Sequence, residues 1–141
     1  MSQFSLRNCK IGVVGLGYVG LPLAVEFGKH FRTVGFDIKN ARVAELKKGH
    51  DSTLECEPGE LRAAKSLSYS TDVKDLKSCH VFIVTVPTPI DGYKRPDLTP
   101  IVRASELLGG VLKKNDIVVF ESTVYPAIWR SEERRVGKEC R

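Results

Sequence analysis

The 141 residues carry a formal net charge of +5, with 42% apolar and 28% charged residues, the profile of one ordinary globular domain. Residues 130–141 hold +2 of that charge, since Arg130, Arg134, Arg135, Lys138 and Arg141 oppose Glu132, Glu133 and Glu139; the +3 left on the body, with no basic run interleaved with aromatics, argues against a nucleic-acid partner. No apolar run approaches the ~18 residues of a membrane span and residues 1–8 have no apolar signal core, so a cytoplasmic protein without a membrane partner is expected.

Lys10-Ile11-Gly12-Val13-Val14 is a short β-branched run, read as a buried strand. A glycine turn follows, then a helix over 18–29 with Val19, Leu23, Val25 and Phe27 among its apolar residues. Thr33-Val34-Gly35-Phe36-Asp37 is the second strand, and 41–48 a short helix that Gly49 stops. Residues 50–57 are polar and read as loop. Pro58 opens another short helix, because proline is tolerated in the first turn. Residues 67–71 read as a strand, after which the Asp72 carboxylate caps a helix over 73–78 by accepting from first-turn amides. Val81-Phe82-Ile83-Val84-Thr85-Val86 is the strongest strand of the chain, and its lack of polar alternation implies burial on both faces. After a proline-rich loop over 87–96, Thr99-Pro100 starts a helix with Ile101, Ala104, Leu108 and Val111 at spacings of three and four. Gly109-Gly110 lies inside this predicted helix at roughly 1 kcal/mol each against alanine, either as close packing or as local weakness. Ile117-Val118-Val119-Phe120 is the final strand. The alternation predicts an α/β fold of Rossmann type, a doubly wound parallel sheet with helices on both faces and right-handed crossovers.

The motif that carries chemistry is Gly15-Leu16-Gly17-Tyr18-Val19-Gly20. Such a glycine pattern is weak alone, but here it follows a strand, opens a helix, and has an acid, Asp37, roughly 20 residues on at the end of the next strand. Gly15 is read as making the tight turn, Gly17 as letting a pyrophosphate approach the backbone, and Gly20 as letting the helix pack close to the sheet. The free amides of Tyr18 and Val19 are expected to face the phosphates, aided by the positive end of the helix dipole. Asp37 is expected to accept from the adenosine ribose hydroxyls, and its charge disfavours a 2′-phosphate, so NAD is expected over NADP. Lys39 and Arg42 are nearby cations that could receive such a phosphate and soften that preference.

Cys9, Cys56, Cys79 and Cys140 are spaced too widely for a metal knuckle or a redox pair and are read as reduced thiols. His30, His50 and His80 stand alone and are read as surface or strand-edge residues, so no metal site is expected.

Four ordered segments then carry a resemblance: Gly15-Leu16-Gly17-Tyr18-Val19-Gly20-Leu21-Pro22-Leu23-Ala24, Val86-Pro87-Thr88-Pro89, Pro96-Asp97-Leu98-Thr99-Pro100 and Glu121-Ser122-Thr123-Val124-Tyr125-Pro126. Through them residues 11–126 resemble the N-terminal NAD-binding domain of the UDP-glucose/GDP-mannose dehydrogenase family. The wording is nearer to the UDP-N-acetylhexosamine branch, with the UDP-glucose branch left open. The resemblance implies that the Val19 amide meets the pyrophosphate and Asp37 the ribose, that Arg42 contacts the cofactor, and that Thr88 and Thr123 line its cleft. Pro87 and Pro89 are read as stiffening their loop.

The resemblance also implies oxidation of the 6-hydroxyl of a UDP-sugar to a carboxylate with two NAD, through a thiohemiacetal on a cysteine that follows a Gly-Gly pair beyond this chain's length. A central helical domain, on which the family's homodimer is built, and a second nucleotide-binding domain are expected beyond it as well. No catalytic residue is therefore assigned within these 141 residues, and none of the four cysteines sits in the family's motif. After Pro126 the chain departs from the family pattern. Residues 1–126 are read as the domain, and 127–141 as a non-family tail that is artefactual or disordered. The competing reading is a stand-alone NAD-binding regulatory module without catalysis.

Overall fold

The computed structural model describes residues 5–121. Thr123, the expected boundary at Pro126, and the tail with Cys140 lie outside the described residues.

Five strands, β1 (Lys10–Val14), β2 (Arg32–Phe36), β3 (Leu67–Ser70), β4 (Val81–Val84) and β5 (Ile117–Phe120), form one parallel sheet in the order β3-β2-β1-β4-β5. The helices are α1 (Gly20–Gly28), α2 (Asn40–Lys47), α3 (Pro58–Ala63) and α4 (Thr99–Gly109), with short 3-10 turns at Leu6–Asn8 and Val73–Leu76.

Two apolar layers explain why the strands lack polar alternation. Ile11, Val13 and Ile83 pack with Leu21, Ala24 and Val25 of α1, Leu46 of α2 and Leu61 of α3. The alternate positions Val14, Val34, Phe36, Phe82 and Val84 pack with Leu76, Ala104, Leu108 and Val111 on the other face. Since successive strand side chains point to opposite faces, both layers draw on the same strands, which makes the sheet doubly wound as the sequence predicts. Leu21, Leu76 and Phe82 are wholly buried, and each such side chain stabilises by about 1.5–3 kcal/mol relative to exposure.

Apart from one-residue shifts, the structure moves four expected boundaries. The helix predicted from 18 begins at Gly20, because the turn still runs through Tyr18 and Val19. Strand β4 stops at Val84, where its neighbour β1 ends; the next amide, Thr85, makes one last bond to the Val14 carbonyl at 2.9 Å and the chain turns away. The capped segment after Asp72 is a 3-10 turn of four residues, with the Asp72 carboxylate accepting from the Lys74 amide at 2.9 Å. Gly109 and Gly110 do not sit inside α4 but end it: Gly109 is its last residue and Gly110 its cap, and an added Cβ at Gly109 would meet nothing within 4 Å. They mark a stop rather than a packing contact or a weak point.

The order β3-β2-β1-β4-β5 positions the site. From β1 the chain winds outward through β2 to β3, then returns to the other side of β1 as β4. The carboxyl ends of β1 and β4 thus flank a topological switch point, where parallel sheets open a crevice.

Candidate functional site

Gly15 leaves β1 at φ +100°, and its amide is tied to the Phe36 carbonyl at 2.8 Å. That φ lies where side chains rarely go, so glycine is required for the bend. The Thr85 hydroxyl donates to the Gly15 carbonyl at 2.7 Å and lies 3.2 Å from that of Val14, binding the turn to the end of β4.

Gly20 is packed against the turn itself. A Cβ there would lie 1.8 Å from the Gly15 carbonyl oxygen and 2.3 Å from the Thr85 hydroxyl. The close approach expected between helix and sheet is therefore made to Gly15 and Thr85 at the sheet's end. Gly17 is the opposite case, with nothing within 4 Å of an added Cβ. Tyr18 and Val19 are 69% and 53% exposed. Among the described residues the amides of Gly17, Tyr18 and Val19 have no protein acceptor. A bare, donor-rich helix entrance of this kind suits a diphosphate.

Asp37 follows β2 directly and is brought against the same turn. Its Oδ2 accepts from the Leu16 amide at 3.0 Å and its Oδ1 from the Lys39 amide at 2.9 Å. The carboxylate is thus fixed beside the phosphate turn, as a ribose acceptor must be. Together the uncapped amides, the open face at Gly17 and this carboxylate fit the two ends of an adenosine diphosphate moiety.

These parts line one cleft of about 1100 Å³, above the ~300–1,000 Å³ typical of small-ligand pockets and suited to an extended molecule. Gly15, Gly17, Tyr18, Val19, Asp37, Arg42 and Thr88 all line it. Pro87 lines it too. Gly20 lies behind the wall, supporting the turn.

Arg42 reaches the cleft in a different role from a free cation. Its Nε donates to the Leu16 carbonyl at 2.7 Å, Nη1 to Asp51 at 2.8 Å and to Glu45, and Nη2 to the Thr53 hydroxyl at 3.3 Å. Burial alone would raise the Asp51 carboxyl, but bonds from the Thr53 hydroxyl, the Cys56 amide, Arg42 and the Thr53 amide outweigh it and hold it well below the usual carboxylate range. For Arg42, burial works against the charge, yet its bonds to Glu45 and Asp51 prevail and raise its pKa.

Reasoning from sequence missed Thr85, Glu45, Asp51 and Thr53, and also Arg103 and Glu121, which line the cleft from α4 and from the end of β5. One local signal was available: Asp51-Ser52-Thr53 is a run of residues that hydrogen-bond nearby backbone, and Asp51 does bind the amide two residues on, at 2.9 Å. Nothing local marks Thr85 or Arg103.

The described cysteines are poor nucleophiles. Cys9, Cys56 and Cys79 are buried free thiols. Burial pushes Cys56 and Cys79 up to about 11 and also raises Cys9. His30, His50 and His80 are exposed; His80 accepts from the Lys10 amide at 3.2 Å and His30 lies 3.6 Å from Glu26. Among the described residues no cluster of three or more His, Cys, Asp or Glu could hold a metal ion.

A family model described as "UDP-glucose/GDP-mannose dehydrogenase family, NAD binding domain" matches residues 9–139. A UDP-N-acetyl-D-glucosamine 6-dehydrogenase of Pseudomonas aeruginosa is 63% identical over 121 residues, which are 86% of this chain and 29% of that protein. One of the same name from Salmonella typhi is 53% identical over 130 residues, 92% of this chain and 31% of that protein. Among solved structures, a UDP-D-ManNAc dehydrogenase from Pyrococcus horikoshii superposes with a TM-score of 0.78 at 30% identity, covering 92% of this chain and 32% of that one. The chain thus spans about three-tenths of the length of the curated relatives it matches.

Proposed function

This chain belongs to the UDP-glucose/GDP-mannose dehydrogenase family as its NAD-binding domain, and from that premise we propose that it serves as the cofactor-holding part of a cytoplasmic nucleotide-sugar 6-dehydrogenase. The substrate of that enzyme is a UDP-N-acetylhexosamine or UDP-glucose, oxidised at its 6-hydroxyl to the uronate for surface polysaccharide synthesis. The similarity to the two UDP-N-acetyl-D-glucosamine 6-dehydrogenases supports the N-acetylhexosamine. The cytoplasmic reading has the support that no described helix is long and apolar enough to cross a membrane. Homodimerisation belongs to the longer enzyme.

NAD supplies the hydride acceptor when bound. The amides of Gly17, Tyr18 and Val19 receive its pyrophosphate at the open face that Gly15 and Gly20 shape. Asp37 grips the adenosine ribose, Arg42 braces the turn, and Thr88 closes the cleft along the cofactor. With every described thiol buried and its pKa raised, the nucleophile of the second oxidation comes from outside residues 5–121.

The observation that supports this reading is that Leu16 donates its amide to Asp37 within the very turn whose next three amides have no acceptor among the described residues, so that a ribose acceptor and free phosphate donors would adjoin. Calorimetric titration of the purified chain tests it. NAD is expected to bind more tightly than NADP, and Asp37→Ala to weaken NAD by roughly tenfold, the worth of about one charge-assisted hydrogen bond. No steady NADH formation with UDP-sugars is expected from the chain alone. Failure to bind either dinucleotide refutes the assignment.

A further inference from the structure

Building on that cofactor reading, we propose that Asp51 and Glu45 set the dinucleotide preference at one remove, by holding Arg42 on the phosphate turn and away from a 2′-phosphate. Arg42 is the first cation of α2, and a guanidinium beside the ribose acid is what would accommodate NADP. Here four of its five N–H donors are engaged. The Leu16 carbonyl, Asp51, Glu45 and the Thr53 hydroxyl take them, and the side chain is only 10% exposed.

Asp51 cannot swing aside to release it. Its side chain is fully buried. Oδ1 also accepts from the Thr53 amide at 2.9 Å and hydroxyl at 2.6 Å, while Oδ2 accepts from the amides of Glu55 at 2.9 Å and Cys56 at 3.0 Å. Glu45 is anchored in turn by the Ser52 hydroxyl at 2.8 Å. Two carboxylates therefore share one guanidinium, and Asp37 adds a third negative charge close by. A phosphate monoester, itself carrying about −1.5 to −2 near neutral pH, meets net repulsion there. Lys39 also lines the cleft, but as a lone, hydrated ammonium on an exposed stem.

The arrangement has a second consequence on Leu16. Its amide is held by Asp37 and its carbonyl by Arg42, so a single peptide segment fixes the ribose acid relative to the phosphate amides. Arg42 is thus a positioning residue, and Asp51 with Glu45 are what keep it one.

The test is the ratio of NADP to NAD dissociation constants, measured by calorimetry on the 141-residue chain and on Asp51→Asn, Glu45→Gln and the double variant. The double variant is expected to shift the ratio toward NADP by roughly tenfold, and Glu45→Gln alone by about threefold, on the scale of a freed charged hydrogen bond. In an Arg42→Met background both shifts should shrink to the small part owed to the lost carboxylate charge, and shifts of undiminished size there overturn the role given to Arg42. Glu45 is a partly exposed helix residue, so its variant keeps the test alive if Asp51→Asn does not fold, as circular dichroism would reveal. Equal weakening of both nucleotides, or an unchanged ratio in a chain that still binds NAD, overturns this inference and leaves the cofactor reading standing. A native chain that binds neither nucleotide overturns both.

Discussion

Within the phosphate turn, Gly17 and Gly20 sit three positions apart and answer to different demands. The space a Cβ would need at Gly20 is already filled by the Gly15 carbonyl and the Thr85 hydroxyl. Backbone cannot yield as a side-chain tip can, so Gly20→Ala is expected to cost about 3 kcal/mol, the upper part of the overpacking range. At Gly17 the same methyl meets no protein atom. Gly17→Ala should leave unfolding free energy within about 0.5 kcal/mol of the native chain, while NAD affinity falls by about tenfold. Urea melts and calorimetry on the two variants separate these outcomes. If Gly17→Ala kept full NAD affinity, the pyrophosphate would not lie against that residue. The motif assigns Gly20 to packing and Gly17 to the ligand; what it could not give is that the atoms packed against Gly20 are the Gly15 carbonyl and the Thr85 hydroxyl.

At the level of elements, the positions of β1 and β4 followed from the sequence because burial on both faces demands continuous apolar runs, and those runs are local. Helix ends followed less well, because a boundary depends on what the neighbouring element does. Strand β4 ends where β1 stops supplying partners, and Gly109-Gly110 ends a helix that periodicity alone would have continued to Val111. The 3-10 turn after Asp72 shows a local rule surviving intact: the cap forms as expected even though the helix behind it is shorter. Asp72 is exposed and lies outside the cleft lining. Asp72→Ala is therefore predicted to lower stability by about 1 kcal/mol, the usual worth of such a cap, with no change in NAD affinity. Denaturant unfolding and a binding isotherm on that one variant check both halves.

For the molecule as a whole, the Arg42–Asp51 network joins α2, the loop after it and the phosphate turn, and it makes stability depend on acid. The folded chain binds a proton on Asp51 far more weakly than the unfolded chain, whose carboxyl keeps an ordinary value of 3.8. The stabilisation is therefore complete above about pH 4 and is lost as pH falls below it toward the depressed folded value, at up to about 1.4 kcal/mol per pH unit. Asp51→Asn should be less stable at pH 7 yet show a flatter decline between about pH 4 and pH 2. Parallel slopes for the two chains in acid denaturation would remove Asp51 from the account. Taken by itself, the sequence determined the alternating strands and helices, the parallel sheet, the glycine bend and the acid at Asp37, because each is written in contiguous residues whose backbone demands are local. The tertiary structure alone decided that Thr85 clamps Gly15, that Arg42 is engaged by Leu16, Glu45, Asp51 and Thr53, and that Arg103 and Glu121 share the cleft. The Thr85–Gly15 and Arg42–Leu16 pairings join segments far apart in the chain, and such partners are set by where the sheet brings those segments together.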